Sequence, residues 1–312
     1  MTDVLVLSAN DVASLVNIGA LIEHLATAFM HLSRGAASAP PRSAAVAPAG
    51  HLAAMPGYVP GMGLTAKLVS TFPDNRDRGL PAHQGLIAVF DEYTGTPVAL
   101  IDGTLLTALR TAAASALSAK TLIAREPRVL AIVGAGVQGR AHLDVFAQIF
   151  QLNEIRIVSR NADHARQLSQ QLGHARYVDT VEDAVRGADI ICCCTASLTP
   201  VLNHAWVGPG AHVTSVGTGP EVDPKLIGMA GLFVESRVAF QPYPAGCREL
   251  QGVDSTRAAE LGEVLSGLKP GRSEDDQITF YKSMGHAVED TAAADLVVRR
   301  AKEQSRGTVV SL

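Results

Sequence analysis

The sequence predicts an α/β fold: a doubly wound parallel sheet that begins after residue 125, preceded by a stretch of mixed strands and helices. Three observations lead there. After residue 125, apolar β-branched runs alternate with helical stretches, as in βαβ units. The first of those runs passes directly into Gly134-Ala135-Gly136-Val137-Gln138-Gly139, a complete G-x-G-x-x-G. Before residue 125 the rhythm is different, with hairpin-like alternation and Ala-rich helices.

Taken in order, residues 11–34 read as a helix, with Leu15, Ile18, Leu21, Ile22, Leu25 and Phe29 on one broad apolar stripe. Residues 35–63 are rich in Ala, Pro and Gly and predict loops and short strands. Leu64–Thr71 reads as a strand. Gln84–Phe90 and Thr96–Ile101 read as a hairpin turned by Asp91-Glu92-Tyr93-Thr94-Gly95. Residues 104–124 are helical, and Arg125-Glu126-Pro127 stops them. Then come strand Val129–Val133, a helix through Phe150, strand Ile155–Val158 and a helix over Ala162–Leu172. Thr180-Val181-Glu182-Asp183 resembles a capping box opening a short helix. Ile190–Cys194, His212–Val216 and Leu232–Val234 read as further strands, and 285–304 as a last helix.

Bulk properties exclude several classes. The 312 residues suffice for two modest domains. A net charge of -4 and the absence of any dense Lys/Arg block argue against nucleic acid as a partner. No apolar run reaches the length of a membrane helix, and Met1-Thr2-Asp3 opens no signal peptide, so a cytoplasmic protein is expected. Three of the four cysteines are consecutive (Cys192, Cys193, Cys194) in an apolar run. That spacing suits neither a disulfide framework nor a metal site, and they read as small buried apolar residues.

The glycine motif carries the first functional statement. It follows a strand and opens a helix, the context in which it binds dinucleotides. Gly134 permits the tight turn, Gly136 lets a pyrophosphate reach the backbone, and Gly139 lets helix and strand pack closely. The helix N-terminus adds N–H donors and positive potential. A Rossmann-type domain is therefore expected. At the tip of its second strand an NAD site would carry an acid for the ribose 2′-hydroxyl. This chain has Ser159-Arg160 there. Arg160 favours the 2′-phosphate of NADP(H); NAD(H) bound through Ser159, with Arg160 facing solvent, is the alternative.

Several segments then carry a family resemblance. They are Lys67-Leu68-Val69-Ser70-Thr71-Phe72-Pro73, Thr104 through Ala113 (TLLTALRTAA), Gly134-Ala135-Gly136-Val137-Gln138, Leu261-Gly262-Glu263-Val264 and Lys282-Ser283-Met284-Gly285-His286-Ala287-Val288-Glu289-Asp290. On these the chain resembles the ornithine cyclodeaminase/mu-crystallin family. The resemblance implies a substrate-binding and dimerisation domain from residues 1–118 with 286–312. It also implies an inserted NAD(P)-binding domain from 119–285, and a homodimer. Members interconvert an α-amino acid with its imine or keto form, or bind at that site.

The resemblance also implies site residues. Arg42 and Lys67 touch the small imino or amino acid, and Arg110 lies between it and the cofactor, which makes Lys67 and Arg110 the catalytic candidates. Thr111, Val137, Gln138, Thr195, Val216 and Gly217 line the cofactor, while Ser283 and Gly285 close over its nicotinamide side, Gly285 also touching substrate. The chemistry agrees: a guanidinium fork suits a carboxylate, and a lysine can hold the carboxylate or relay a proton to nitrogen. Read without the resemblance, Arg42 is a solvated loop charge; Lys67, mid-strand between apolar residues, either projects into a domain cleft or is an exposed edge residue; and Arg110, with apolar neighbours on every side, has the best claim. His83, ahead of a strand, is weighed as a general acid and is better read as structural or solvated.

Two departures matter. Ornithine cyclodeaminase carries a catalytic aspartate in the loop that here reads Thr218-Gly219-Pro220-Glu221-Val222-Asp223, and an ungapped match puts Gly219 at its place. Glu221 or Asp223 would have to swing in to replace it. Ala82 stands where that enzyme has a threonine near the cofactor. Simple reduction of an α-imino acid, or the reverse amino-acid dehydrogenation, survives both losses and is the expected activity. Cyclodeamination and a mu-crystallin-like binding role are the rivals.

Overall fold

The computed structural model describes residues 2–312, which form two units: one up to Arg110 together with His286–Leu312, the other Thr111–Gly285. Among them, no single helix is long and apolar enough to cross a membrane.

The first unit opens with β1 (Asp3–Leu7), α1 (Ala9–Leu15) and α2 (Ile18–Ser33). Five strands follow: β2 (Ser43–Ala47), β3 (Gly50–Val59), β4 (Gly63–Thr71), β5 (His83–Phe90) and β6 (Pro97–Asp102). The single helix expected over 11–34 is thus two helices meeting at a 91° bend. The cause is capping. Asn17 is extended and its side chain accepts the Ala20 N–H at 2.9 Å, so it starts a new helix rather than continuing the old one. Ser8 likewise starts α1, its hydroxyl and backbone N–H both donating to Asp11. The region expected to hold short strands contains the ten-residue β3. It tolerates Pro56 because β2 ends its pairing at Ala54, so the missing N–H falls on an unpaired flank.

The second unit starts inside α3 (Gly103–Leu122). It continues with β7 (Val129–Val133), α4 (Val137–Ile149), β8 (Glu154–Val158), α5 (Ala162–Ser169), β9 (Ala175–Tyr177), α6 (Val181–Val185) and β10 (Ile190–Cys193). Then follow β11 (His212–Ser215), α7 (Pro224–Met229), β12 (Gly231–Val234), β13 (Ala258–Glu260), α8 (Leu261–Leu265) and β14 (Thr279–Lys282). The chain finishes in the first unit with α9 (Ala287–Glu303) and β15 (Thr308–Ser311).

In the first unit the sheet order is β15-β1-β6-β5-β4-β3-β2. Alternation sorts its residues cleanly. Met55, Val59, Lys67, Ile87, Val89 and Ile101 point to the buried face, where α9 packs on β3, β4 and β5 and α2 packs on α9. Leu52, Leu64, Leu68 and Leu86 point to the other face and stay exposed. Gly57 allows the close approach of β3 to α9, since a Cβ there would stand 2.8 Å from the Thr291 hydroxyl and 3.0 Å from the Ala287 carbonyl.

In the second unit eight strands run parallel in the order β13-β12-β14-β11-β10-β7-β8-β9. Counting from β7, its near half reads 3-2-1-4-5, so the strand order reverses between β7 and β10, where ligands bind at the strands' carboxyl ends. The fold class is thus the doubly wound α/β sheet plus an α+β unit. Four short strands, β1, β9, β13 and β15, and the four-residue β14 lie outside the elements read from sequence. Each is too short for a period of two to stand out. Thr180 caps α6 by accepting the Asp183 N–H at 3.0 Å; its hydroxyl, not its backbone N–H, donates to the Asp183 carboxylate at 2.6 Å, so the box is half formed.

Candidate functional site

In the first unit the chemistry gathers on the buried face of the sheet. Lys67 sits in the middle of β4, paired with Met55 on one side and Ile87 on the other, and is 2% exposed. Arg110 projects from α3 and is 3% exposed. Facing both is the first turn of α9, whose Glu289 and Asp290 are fully buried. The Lys67 ammonium lies 2.7 Å from Asp290 Oδ2. Arg110 Nε donates to Asp290 Oδ1 at 3.0 Å, and its Nη1 donates to Glu289 Oε2 at 2.9 Å. Glu289 Oε1 also accepts the His286 N–H at 2.8 Å, fixing that carboxylate to the helix start.

Two cations and two carboxylates therefore share one dry pocket. Burial costs each charge several kcal/mol unless it is paired, and the helix N-terminus favours the acids. Burial, reinforced by the neighbouring Arg110 charge, lowers the Lys67 ammonium to about 8 against the pull of Asp290 and Glu289. Asp290 resists its own burial: Arg110 and Lys67 hold its carboxyl below the ordinary value. The arrangement keeps a lysine poised near neutrality beside a guanidinium whose plane is fixed by two carboxylates.

The other predicted residues of this unit are placed differently. Arg42 is exposed, immediately ahead of β2, and His83 is exposed at the first position of β5. Ala82 carries no functional group. Gly285, at φ +71°, ends the second unit just before His286.

In the second unit the glycine loop has the geometry its sequence predicts. Gly134 adopts φ +111°, and a Cβ there would lie 2.5 Å from the Cys194 carbonyl oxygen. A Cβ on Gly139 would lie 1.9 Å from the Gly134 carbonyl oxygen, whereas one on Gly136 would meet nothing. Gly136 is the N-cap of α4, so no side chain satisfies the first N–H groups of that helix. Val137, in the first turn, is 70% exposed, and the buried Gln138 Oε1 has no hydrogen-bond partner among the described residues. An uncapped helix start with an open glycine fits a pyrophosphate; Gly134, Gly136, Val137 and Gln138 would hold it.

Thr195 follows β10, and Val216 and Gly217 follow β11, at the carboxyl ends of the strands. Ser159 follows β8; Arg160 is exposed beside it, and Asn161 caps α5. Thr111 is buried on α3. The Ser283 hydroxyl donates to Glu235, which also accepts the Met284 N–H at 3.1 Å and the Gly285 N–H at 3.3 Å. The three consecutive cysteines are buried, and burial pushes the Cys192 thiol up to about 12. His142 and His212 are buried too; burial lowers them to about 4 and about 3, so neither serves as a general acid near neutral pH.

The family model for the ornithine cyclodeaminase/mu-crystallin family matches residues 2–305. The chain belongs to this family. It is 39% identical over 254 residues to the ketimine reductase mu-crystallin of Mus musculus, covering 80% of each chain. Among solved structures it is similar to the Thermococcus litoralis Delta(1)-pyrroline-2-carboxylate reductase in complex with NADH and L-proline. That match has 30% identity and a TM-score of 0.90, over 97% of this chain and 99% of that one. It is equally similar to an archaeal alanine dehydrogenase dimer with bound NAD: 29% identity, TM-score 0.90, all of both chains.

A Cβ on Gly219 would lie 2.1 Å from the Ser197 carbonyl oxygen, so the 218–223 loop in this shape admits no side chain there. Glu221 and Asp223 are both engaged elsewhere in this loop shape. Glu221 is fully buried, accepts three hydrogen bonds from Thr195 and Gly217 and contacts the Ser215 hydroxyl, and Asp223 caps α7 while contacting His204 Nδ1 at 2.6 Å. Sequence reasoning passed over Glu289 and Asp290, although both lie in a segment it singled out. An acidic pair opening an apolar helix reads as an ordinary N-terminal turn, and only the fold brings Lys67 and Arg110 to it.

Proposed function

We propose that this chain is a nicotinamide-dependent reductase of a small α-imino acid, running in reverse as an amino-acid dehydrogenase. The observation that carries the reading is the buried quartet of Lys67, Arg110, Glu289 and Asp290. The first unit supplies the groups for the imino acid. The fixed guanidinium of Arg110, with Arg42, holds the substrate carboxylate. Lys67, poised near neutral pH, delivers a proton to the nitrogen and takes it back in the oxidative direction. The second unit holds the dinucleotide through its glycine loop, Thr111, Thr195, Val216, Gly217 and Ser283, with Gly285 next to the substrate. When bound, the reduced nicotinamide supplies the hydride that adds to the imine carbon. Hydride on carbon and proton on nitrogen turn C=N into CH–NH.

Two finer points belong to the same reading. Arg160 and Ser159, in place of an acid after β8, favour NADP(H) over NAD(H). The exposed leucines of the first sheet form an apolar face of the kind that pairs with a second copy, which supports a homodimer. Cyclodeamination is disfavoured because the loop admits no aspartate at 219.

The test follows oxidation of NADH and NADPH, by loss of reduced-nicotinamide absorbance, against a panel of imines. The panel includes pyrroline-2-carboxylate, piperideine-2-carboxylate, and pyruvate or oxaloacetate with ammonia. Turnover with one imine, abolished by Lys67→Met, is the expected result. Tight dinucleotide binding with no turnover across the panel replaces it with a binding role. Ammonia release from ornithine, with proline formed and no net dinucleotide consumed, replaces it with cyclodeamination.

A further inference from the structure

Behind the dinucleotide site of the second unit lies a second buried charge cluster that the reaction itself does not use. Across the sheet, Cys193, Ser215, Lys282 and Val234 occupy one row of neighbouring strand positions. From this row, the Lys282 ammonium contacts Glu249 Oε2 at 2.8 Å. It also donates to the Ser215 hydroxyl at 2.9 Å and the Gly217 carbonyl at 2.7 Å. Glu249 Oε1 in turn accepts the backbone N–H groups of Glu221 and Val222 at 2.7 and 2.8 Å, which fixes the position of Glu221. Burial alone would lower the Lys282 ammonium; Glu249 and Glu221 outweigh it and hold it above the ordinary value.

Glu221 then reaches back to both strand ends. Its Oε1 accepts the Thr195 N–H at 2.6 Å and the Thr195 hydroxyl at 2.7 Å. Its Oε2 accepts the Gly217 N–H at 2.7 Å and lies 2.9 Å from the Ser215 hydroxyl, whose single proton it shares with Glu249 Oε2 at 2.8 Å. The Thr195 segment also abuts the glycine loop: a Cβ on Gly134 would lie 3.3 Å from the Thr195 methyl group. One carboxylate thus ties the segments after β10 and β11 to each other, beside the loop that takes the pyrophosphate.

We infer that Glu221, anchored by Glu249 and Lys282, is a positioning residue that presets the Thr195 and Gly217 segments for the dinucleotide. The inference rests on the dinucleotide reading above. A purely structural role is a poor account of the cluster. Two carboxylates and one ammonium carry a net charge of -1 into a dry interior at a cost of several kcal/mol per ion, where apolar side chains would fill the space without that cost. What the charges add is geometry: a carboxylate accepts from donors on both segments and offers none, and segments held in place before binding need not be ordered during it. Glutamine at 221 breaks this arrangement. Its amide turns an N–H pair toward donors at either Thr195 or Gly217, whichever side it faces.

The test is direct binding of NADH and NADPH, read by reduced-nicotinamide fluorescence, in the wild type, Glu221→Gln and Ser215→Ala. Amide hydrogen exchange at Thr195 and Gly217 is read without ligand. Glu221→Gln is expected to weaken binding about tenfold or more, as one charge-assisted hydrogen bond is worth, with Ser215→Ala, which loses a shared one, about threefold. KM for the dinucleotide should rise in parallel while kcat stays close to wild type, and exchange at the two amides should accelerate. Unchanged affinity in folded Glu221→Gln overturns the inference while leaving the dinucleotide reading intact. If Glu221→Gln does not fold, Ser215→Ala decides alone: weaker binding supports the inference, wild-type binding overturns it. A wild type that binds neither dinucleotide overturns both readings.

Discussion

Asp290→Asn is the sharpest probe of the proposed chemistry. The substitution keeps the shape of the side chain and removes the charge that sits between Lys67 and Arg110, at 2.7 and 3.0 Å. Two buried cations are then left facing one another with only Glu289 to balance them. At an effective dielectric near 20, a unit charge pair about 4 Å apart is worth about 4 kcal/mol. At about 1.4 kcal/mol per pH unit, this bounds the change in the Lys67 ammonium at about three units, and relaxation leaves at least about one. The direction is downward, because the lost carboxylate favoured the charged form. A proton donor works while protonated, so kcat/KM for imine reduction falls in the wild type as pH rises through about 8. In Asp290→Asn that limb should move down by about one to three pH units. Comparing both proteins on one substrate cancels any titration of the imine itself. Losing one partner of a buried pair also costs about 3–5 kcal/mol of stability, so a thermal melt must show that the variant is folded. A folded variant whose alkaline limb has not moved would refute the assignment of Lys67 as donor.

Three further outcomes are expected. Arg160→Ala should raise KM for NADPH about tenfold and leave KM for NADH nearly unchanged, in steady-state kinetics with both dinucleotides; equal effects on the two would sink the 2′-phosphate role. His142 is neutral when folded, its Nδ1–H donating to the Gln138 carbonyl at 2.8 Å and its Nε2 accepting from Ser115 at 3.0 Å. Its folded value of about 4 lies below the unfolded 6.5, so the unfolded chain binds more protons between those pH values. That stability is full above pH 6.5 and is lost on acidification, about 2 kcal/mol of it by pH about 5. His142→Gln should flatten that part of the stability–pH curve in urea titrations. Leu68→Glu with Leu86→Lys, on neighbouring exposed positions of β4 and β5, should convert a dimer to a monomer by light scattering. A dimer that survives the pair uses another face.

Much of this protein is legible along the chain. The doubly wound sheet follows from strand–helix alternation. The glycine loop follows from three glycines whose spacing meets a turn, a close approach and a tight packing contact. Both are local, since the residues that impose the shape are those that adopt it. Ser8, the cap that opens α1, and Asn17, the cap that divides α1 from α2, are residue types a cap requires, yet the continuous apolar stripe masked them. What only the tertiary structure decided are the meetings of distant residues. Whether Lys67 is an exposed edge residue or projects inward is open until β4 proves to be interior to its sheet and Asp290 arrives from the other end of the chain. Glu221 reads as a loop acid free to move until Lys282 and Glu249, from elsewhere in the chain, enclose it. Sequence sets which charges exist and which stretches turn or extend. Whether a charge is solvated or buried, and what pairs with it, depends on contacts made across the chain, and that burial is what gives these groups their chemistry.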